Sequence, residues 1–355
     1  MNLFSSGIRK YSTSLFAIFA ENKQIAMRIA INGMGRIGRV LFRRLVDHPG
    51  IELVAVNDIM PAENLLYLTR YDSVYGTFYK QMSLEENNML VEGKTIQVFS
   101  EAKATALPWA SLGIDVVLEC SGSYTHAAAA AEHLEAGAKK VLLSTTGSSD
   151  IPLMIYGYNH YDYSKHVNII SPGGCMTNCS THVLNILSAT GIESAQVNML
   201  HSYTSRQEIV DSPNRNFRRG RAAAESIIPV EIDLAASLEI LVPSLKGRIA
   251  TVSTRVPVAN GALGDFTVQL SKDVTVESVN ELFKQAAEGK YKGIIDYTEE
   301  EVVSMDIKGN THSCIIDGSL TSMVGRQLKL IVWFDNEYGF TSRMIDWLEA
   351  LNRNE

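Results

Sequence analysis

The chain is short of the residues that mark specialised protein classes. It carries only four cysteines in 355 residues, too few for a disulfide scaffold, and that scarcity points to a reducing compartment. It has no long apolar run: nothing approaches the roughly 20 residues that a bilayer-spanning helix needs. It has no excess of positive charge either. A formal net charge of −7 gives no reason to expect nucleic acid as a partner. Internal repeats and low-complexity segments are also missing. The expectation is a soluble, cytoplasmic protein that touches neither membrane nor nucleic acid. Its length is too great for one typical domain and comfortable for two.

The first 26 residues differ from the rest. "MNLFSSGIRKYSTSLFAIFAENKQIA" has one apolar patch, Leu15 to Ala20, shorter than the roughly 7–15 residues of a signal-peptide core. No acidic residue precedes Glu21, a composition that suits a transit peptide. The plainer reading is an unstructured upstream extension with Met27 as the functional start. Residues 1–26 are therefore left out of the fold argument.

From residue 28 the pattern is regular. "RIAI" reads as a strand, "NGMGRIG" as a break and "RVLFRRLVDH" as a helix with Val40, Leu41, Leu45 and Val46 on one face and arginines on the other. "IELVAVND" is a second buried strand. "DVVLEC" and "KVLLST" are further strands, with the Ala-rich helix "HAAAAAEHLEAG" between them. Strands alternating with helices predict a parallel sheet covered on both faces. After about residue 190 the segments "AQVNMLHSY", "RIATVSTRVPV", "GDFTVQLS", "HSCIIDG" and "LKLIVWF" are strand-like with few helices between, which predicts an α+β domain on a more antiparallel sheet. "FTSRMIDWLEALNRN" closes the chain as an amphipathic helix.

The break in the first unit is G-x-G-x-x-G: Gly33, Gly35 and Gly38. Alone it is a weak signal. Here it follows a strand, opens a helix, and precedes a strand ending in Asp58, 20 residues beyond Gly38, which is the dinucleotide-binding arrangement. Gly33 permits the tight turn, Gly35 lets a pyrophosphate approach the backbone, and Gly38 lets helix and strand pack closely. The helix N-terminus offers free N–H groups to phosphate. The expected cofactor contacts are Gly33, Gly35, Arg36, Ile37, Gly38 and Asp58. An acid at position 58 accepts from ribose hydroxyls and repels a 2′-phosphate, so NAD is expected rather than NADP.

The second motif is "SPGGCMTNCST". Cys175 follows a Gly-rich approach and stands at the start of a helical pattern, where the helix dipole can lower a thiol pKa from about 8.5. Cys179 lies one turn further on. Zinc would need more ligands than the spacing supplies, and a disulfide within one helical turn has poor geometry, so no metal and no bridge are expected. Cys179 reads as a small buried hydrophobe. Cys175 taken alone could also be core; its position at the helix start favours a nucleophile.

With "RIAINGMGRIGR", "LECSG", "GAKKVLLS", "HSYTSRQ", "RRGRAAAESIIP", "STRVPVANG" and "WFDNEYGFTSRM", the chain after Met27 resembles the glyceraldehyde-3-phosphate dehydrogenase family, which includes erythrose-4-phosphate dehydrogenases. The resemblance implies an NAD-binding Rossmann-type domain over residues 27–174 and 336–355 and a catalytic domain over 175–335. It implies Cys175 as nucleophile and His201 as general base, by way of a hemithioacetal and a thioester. Asn336 would bind the nicotinamide carboxamide, with Ser144 near the same end of the cofactor. Thr204 and Arg255 match the site for the substrate's own phosphate, and Arg206, at a position often acidic in the family, either strengthens that site or faces solvent. The arginines at 206, 215, 218, 219 and 221 match a loop that packs at the core of a homotetramer.

The departures from the family pattern bear on substrate. The family's S-C-T-T-N-C is "GCMTNC" here: Gly174 replaces a serine and Met176 a threonine. "IIPVEIDLAAS" places Ile232 where a further threonine is expected, with Glu231 and Asp233 beside it. All three lost hydroxyls belong to the family's second anion site, which holds the attacking inorganic phosphate. The "IIPVEIDLAA" segment is similar to the erythrose-4-phosphate branch, in which water cleaves the thioester. The leading expectation is therefore oxidation of erythrose 4-phosphate to 4-phosphoerythronate, with phosphorylating oxidation of glyceraldehyde 3-phosphate as the alternative. "HSYTSRQ" favours that alternative. A third reading, of another class, is an NAD-binding protein with little catalysis.

Overall fold

The computed structural model describes residues 26–353; the expected extension lies outside the described residues apart from Ala26. Its two sheets follow the two sequence patterns. The first has eight strands. Six run parallel, in the order Ile169–Ile170, Lys140–Leu143, Val116–Glu119, Met27–Asn32, Ile51–Asn57 and Lys94–Phe99. The hairpin Met82–Glu85 and Asn88–Val91 continues the sheet antiparallel. The chain grows outward from Met27–Asn32 in one direction, then returns to Val116–Glu119 on its other side. That reversal opens a crevice at the carboxyl ends of these two strands, where ligands of such sheets bind.

Helix Arg36–Leu45 covers one face of this sheet. It buries Val40, Leu41, Phe42 and Leu45, the stripe anticipated from spacing, and turns Arg43 outward to the carbonyls of Thr69 and Arg70. The closing helix Tyr338–Arg353 packs beside it. Phe340, Met344, Ile345, Trp347 and Leu348 join the same core as Ile29, Ile31 and Leu41, so this helix folds back onto the first element.

The second sheet has seven strands, ordered Ile228–Val230, Ile249–Val256, Ile192–Ser202, Ala262–Leu270, Gln327–Phe334, Cys314–Val324 and Ile295–Thr298. It is mainly antiparallel, with parallel pairs at Ile192–Ser202/Ile249–Val256 and at Ile295–Thr298/Cys314–Val324. Strict alternation along Ala262–Leu270 sends Phe266, Val268 and Leu270 into a core shared with helix Cys175–Leu187. Helix Val276–Glu288 begins at a reciprocal Thr275/Ser278 cap. Cys175 and Tyr156 touch both main cores, so the helix start that bears the expected nucleophile sits where the two sheets meet.

Candidate active site

The glycine turn has the geometry that a dinucleotide requires. Gly33 has φ +94, and a Cβ there would collide with the Ser121 backbone across the crevice. A Cβ on Gly38 would strike the Gly33 carbonyl, so helix and turn are in direct contact. At Gly35 a Cβ would meet nothing within 4 Å, which leaves open space at the helix N-terminus. No side chain caps that terminus and its first turn holds no acid, so its N–H groups are available to a pyrophosphate. Asp58 accepts from the Met34 and Met60 N–H groups (2.6 and 2.9 Å), which fixes its carboxylate at the crevice. Ile37 packs into the core beneath, so it offers backbone rather than side chain.

Arg36 differs from expectation. Its guanidinium is committed to Glu337 (2.7 and 2.8 Å) and to Asp72. These ion pairs bind the glycine-turn helix to the last helix, so only the Arg36 backbone faces the phosphate position. Ser144 follows strand Lys140–Leu143 and donates its N–H to the Glu119 carbonyl (2.8 Å). Asn336 is held by its Oδ1, which accepts from Ser202 Oγ (3.2 Å) and Gly261 N–H (3.0 Å). Its Nδ2 has no partner among the described residues, as suits a group that donates to a carboxamide.

Cys175 is the first residue of helix Cys175–Leu187. The turn before it is tied down. Asn178 Nδ2 donates to the Pro172 and Gly174 carbonyls (2.8 and 2.9 Å), Ser171 Oγ accepts from Gly173 N–H, and Gly173 has φ +77. Cys179 is fully buried against the second core. His201, buried near the end of strand Ile192–Ser202, places Nε2 3.6 Å from Cys175 Sγ. Its Nδ1 lies 2.7 Å from the Ser202 carbonyl. A carbonyl can only accept, so Nδ1 carries the proton and Nε2 presents its lone pair to the sulfur.

Burial pushes the Cys175 thiol up to about 11, against the opposing pull of Arg255 and of the Met176 and Cys175 N–H groups. Burial likewise holds His201 down at about 3, with Arg255 adding to it. The helix start therefore lowers the thiol less than burial raises it, and the pair is neutral. This corrects the expected depression of the thiol.

Arg255 pairs in register with His201 across parallel strands. It is 7% exposed, makes no ion pair with any described residue, and donates to the Ser202 carbonyl (3.3 Å). Its Nε is buried without a partner. Burial lowers it to about 10; Cys175 acts against that, while Arg219 and Arg206 add to it. A buried guanidinium with no carboxylate is fit to receive an anion. Thr204 lies on the adjoining loop, where its hydroxyl donates to Gln207 Oε1 (3.0 Å). Arg206 is exposed on the same loop.

Gly174 has room for a serine side chain, since a Cβ there meets only Thr146 Oγ1 at 3.9 Å. Met176 and Ile232 pack against the second core, so neither supplies a donor at the expected second anion site. Three contributors escaped the sequence reading: Asp335, Gln207 and Asn178. All three stood inside motifs already singled out, "FDNEYG", "HSYTSRQ" and "GCMTNC". Among the described residues no cluster of His, Cys, Asp or Glu is fit to hold a metal, and no helix is long and apolar enough to cross a membrane.

Two family models match: the NAD binding domain of glyceraldehyde 3-phosphate dehydrogenase over residues 27–127 and its C-terminal domain over residues 174–336. Among curated relatives, glyceraldehyde-3-phosphate dehydrogenase 1 of Bacillus subtilis is 42% identical, covering 91% of this chain and 97% of its own. The Geobacillus stearothermophilus glyceraldehyde-3-phosphate dehydrogenase is 42% identical over the same shares. Glyceraldehyde-3-phosphate dehydrogenase 2 of Streptomyces avermitilis is 40% identical, again over 91% and 97%. With the glycine turn, the Cys175–His201 pair and both sheets in place, the chain belongs to the glyceraldehyde-3-phosphate dehydrogenase family and uses NAD.

Proposed function

We propose that this chain is an NAD-dependent, phosphorylating glyceraldehyde-3-phosphate dehydrogenase. The observation that carries the reading is Cys175 Sγ facing an unprotonated His201 Nε2 beside the unpaired guanidinium of Arg255. The similar relatives, each a glyceraldehyde-3-phosphate dehydrogenase, favour the three-carbon substrate over the erythrose 4-phosphate that the "IIPVEIDLAA" segment suggested.

Arg255 holds the substrate's phosphate, with Thr204 joining it once its hydroxyl turns from Gln207. The Cys175 sulfur adds to the aldehyde carbon, and its proton passes through His201 Nε2 to the carbonyl oxygen, giving a neutral hemithioacetal. NAD, when bound, supplies the hydride acceptor. His201 Nε2 then takes the hydroxyl proton while the carbon–hydrogen bond gives up its electron pair, and a thioester remains on Cys175. Asn336 Nδ2, Ser144 and the free helix N-terminus at Gly35 are the groups that would hold the cofactor.

Erythrose 4-phosphate with water as acceptor is the second reading, favoured by the absence of hydroxyl donors at Gly174, Met176 and Ile232. The test is NADH formation with each aldehyde, with and without inorganic phosphate. Strict phosphate dependence with the three-carbon aldehyde is expected; phosphate-independent turnover of erythrose 4-phosphate would reverse the assignment. Failure of both, with NAD still bound, would point to a binding role.

The domain division at 174/175 and 335/336 is also proposed, supported by the closing helix packing into the first core. So is association into a homotetramer through the arginine-rich loop, whose Ile209, Val210 and Phe217 are exposed; sedimentation analysis tests it. Cytoplasmic residence accords with four unpaired cysteines.

A further inference from the structure

Three neighbouring strands of the first sheet end in polar residues that lie in register. Asn32 stands beside Asn57 on one side and Glu119 on the other, and all three are buried. Their side chains form one run of hydrogen bonds. Asn57 fixes its amide on the Glu101 backbone, accepting from the N–H (2.8 Å) and donating to the carbonyl (2.9 Å). It also donates to Asn32 Oδ1 (2.7 Å), and Asn32 Nδ2 donates to Glu119 Oε2 (2.6 Å). The same carboxylate oxygen lies 2.9 Å from Nε2 of the fully buried His133. The Trp109 indole N–H can only donate, and it meets His133 Nδ1 (3.1 Å). The imidazole therefore carries its proton on Nε2 and donates it to Glu119.

The other carboxylate oxygen serves the crevice. Glu119 Oε1 accepts from the Ser121 N–H (2.7 Å) and from the Ser121 hydroxyl, whose oxygen accepts from Ser123 N–H (3.1 Å). Ser121 is the residue whose backbone a Cβ on Gly33 would strike, and residues 121–123 are exposed. They form a second rim of the crevice, against the glycine turn. Asp58 has anchors of its own at Met34 and Met60, whereas both donors of Ser121 are committed to Glu119.

We infer that Glu119 is a positioning residue for NAD, acting through the Ser121–Ser123 rim. Both of its oxygens must accept, which an amide cannot do. The donors on Oε2 cannot yield, because Trp109 fixes His133 and Asn57 fixes Asn32. In Glu119→Gln the new amide nitrogen must turn to the Ser121 side, where it confronts the Ser121 N–H and displaces the rim. The inference rests on NAD lying across the glycine turn.

The experiment is a fluorescence-quenching titration with NAD on Glu119→Gln, Ser121→Ala, their double variant and Gly35→Ala, with thermal melting of each. Glu119→Gln should bind NAD about tenfold more weakly, with kcat at saturating NAD within about twofold of the parent. Ser121 is exposed, so Ser121→Ala should melt like the parent and bind NAD about threefold more weakly. The double variant should match Glu119→Gln alone, because both changes act on one rim. An additive loss of about thirtyfold overturns the inference. So does Glu119→Gln that melts lower at unchanged NAD affinity, since Glu119 then only supports the fold. If Glu119→Gln does not fold, Ser121→Ala decides: a loss of NAD affinity upholds the inference and an unchanged affinity overturns it. Weaker binding in Gly35→Ala alone would refute Glu119 and keep NAD at the glycine turn. Unchanged affinity in every variant would remove NAD from the turn and the inference with it.

Discussion

Cys175 and His201 face each other with each denied its charge. The thiol is pushed up to about 11 and the imidazole held at about 3, both first by burial, so a proton rests on sulfur while the facing nitrogen is vacant. That arrangement suits addition of S–H across a carbonyl better than storage of a thiolate. His201→Asn removes the proton carrier, and NADH formation should fall about 10²- to 10⁴-fold while iodoacetamide still modifies Cys175. Arg255 acts on the same sulfur through space, lowering the thiol against the burial that raises it. Arg255→Gln should therefore move the pH profile of Cys175 alkylation upward. Below the thiol pKa each unit of upward shift leaves about a tenth of the thiolate, so the rate at a fixed pH near 8 drops in proportion. A profile that stays put would show that this charge does not reach the sulfur.

At the scale of single elements, the glycine-turn helix separates fold from function within four residues. Gly38 packs against the Gly33 carbonyl, whereas Gly35 faces open space with φ −66. Gly38→Ala should destabilise by about 1–3 kcal/mol through forced backbone displacement, read as a fall in melting temperature. Gly35→Ala should melt almost like the parent yet bind NAD at least about tenfold more weakly, as a titration of NAD fluorescence quenching would report; equal NAD affinity would remove the pyrophosphate from this turn. This geometry was legible in the sequence because strand, glycine spacing, helix and Asp58 are all local. The alternation along Ala262–Leu270 and the stripe on Arg36–Leu45 were legible for the same reason. The hairpin Met82–Glu85/Asn88–Val91 and its turn into Lys94–Phe99 were not, since the first central residue of each turn is a glutamate in the left-handed region, Glu86 and Glu92, with Asn87 and Gly93 only in second place. The duty of Arg36 was hidden too: its partner Glu337 lies 301 positions away, and no periodicity reports a contact at that range. Burial of Cys175 at the junction of two cores was equally invisible, and it is what overrides the helix-start effect.

The whole molecule is closed by Asp335, a fully buried carboxylate between the two sheets. It accepts from Tyr75 on the first-sheet side (2.9 and 3.1 Å) and from Asn260 and Gly309 on the second (3.3 and 2.8 Å). It also accepts from Glu337 and Tyr338 N–H (2.8 and 2.9 Å), where the final helix begins. Burial first, and the charge of Asp335 next, keeps Tyr75 protonated far above its ordinary range, so the phenol is always a donor to this clip. Asp335→Ala leaves these donors unanswered. The loss should be about 3 kcal/mol or more, a fall of roughly 6–12 °C at the usual slope for domains of 150–250 residues. The consequence peculiar to a clip is a change in cooperativity. The parent should unfold in one calorimetric transition, and Asp335→Ala in two, because each sheet keeps its own core. NAD at a hundred times its Kd adds about 2.7 kcal/mol to whatever binds it, so in the variant it should raise only the transition belonging to the first sheet and the closing helix. A single transition in both proteins, shifted as a whole by NAD, would mean that the contacts around Cys175 and Tyr156 couple the two sheets without Asp335.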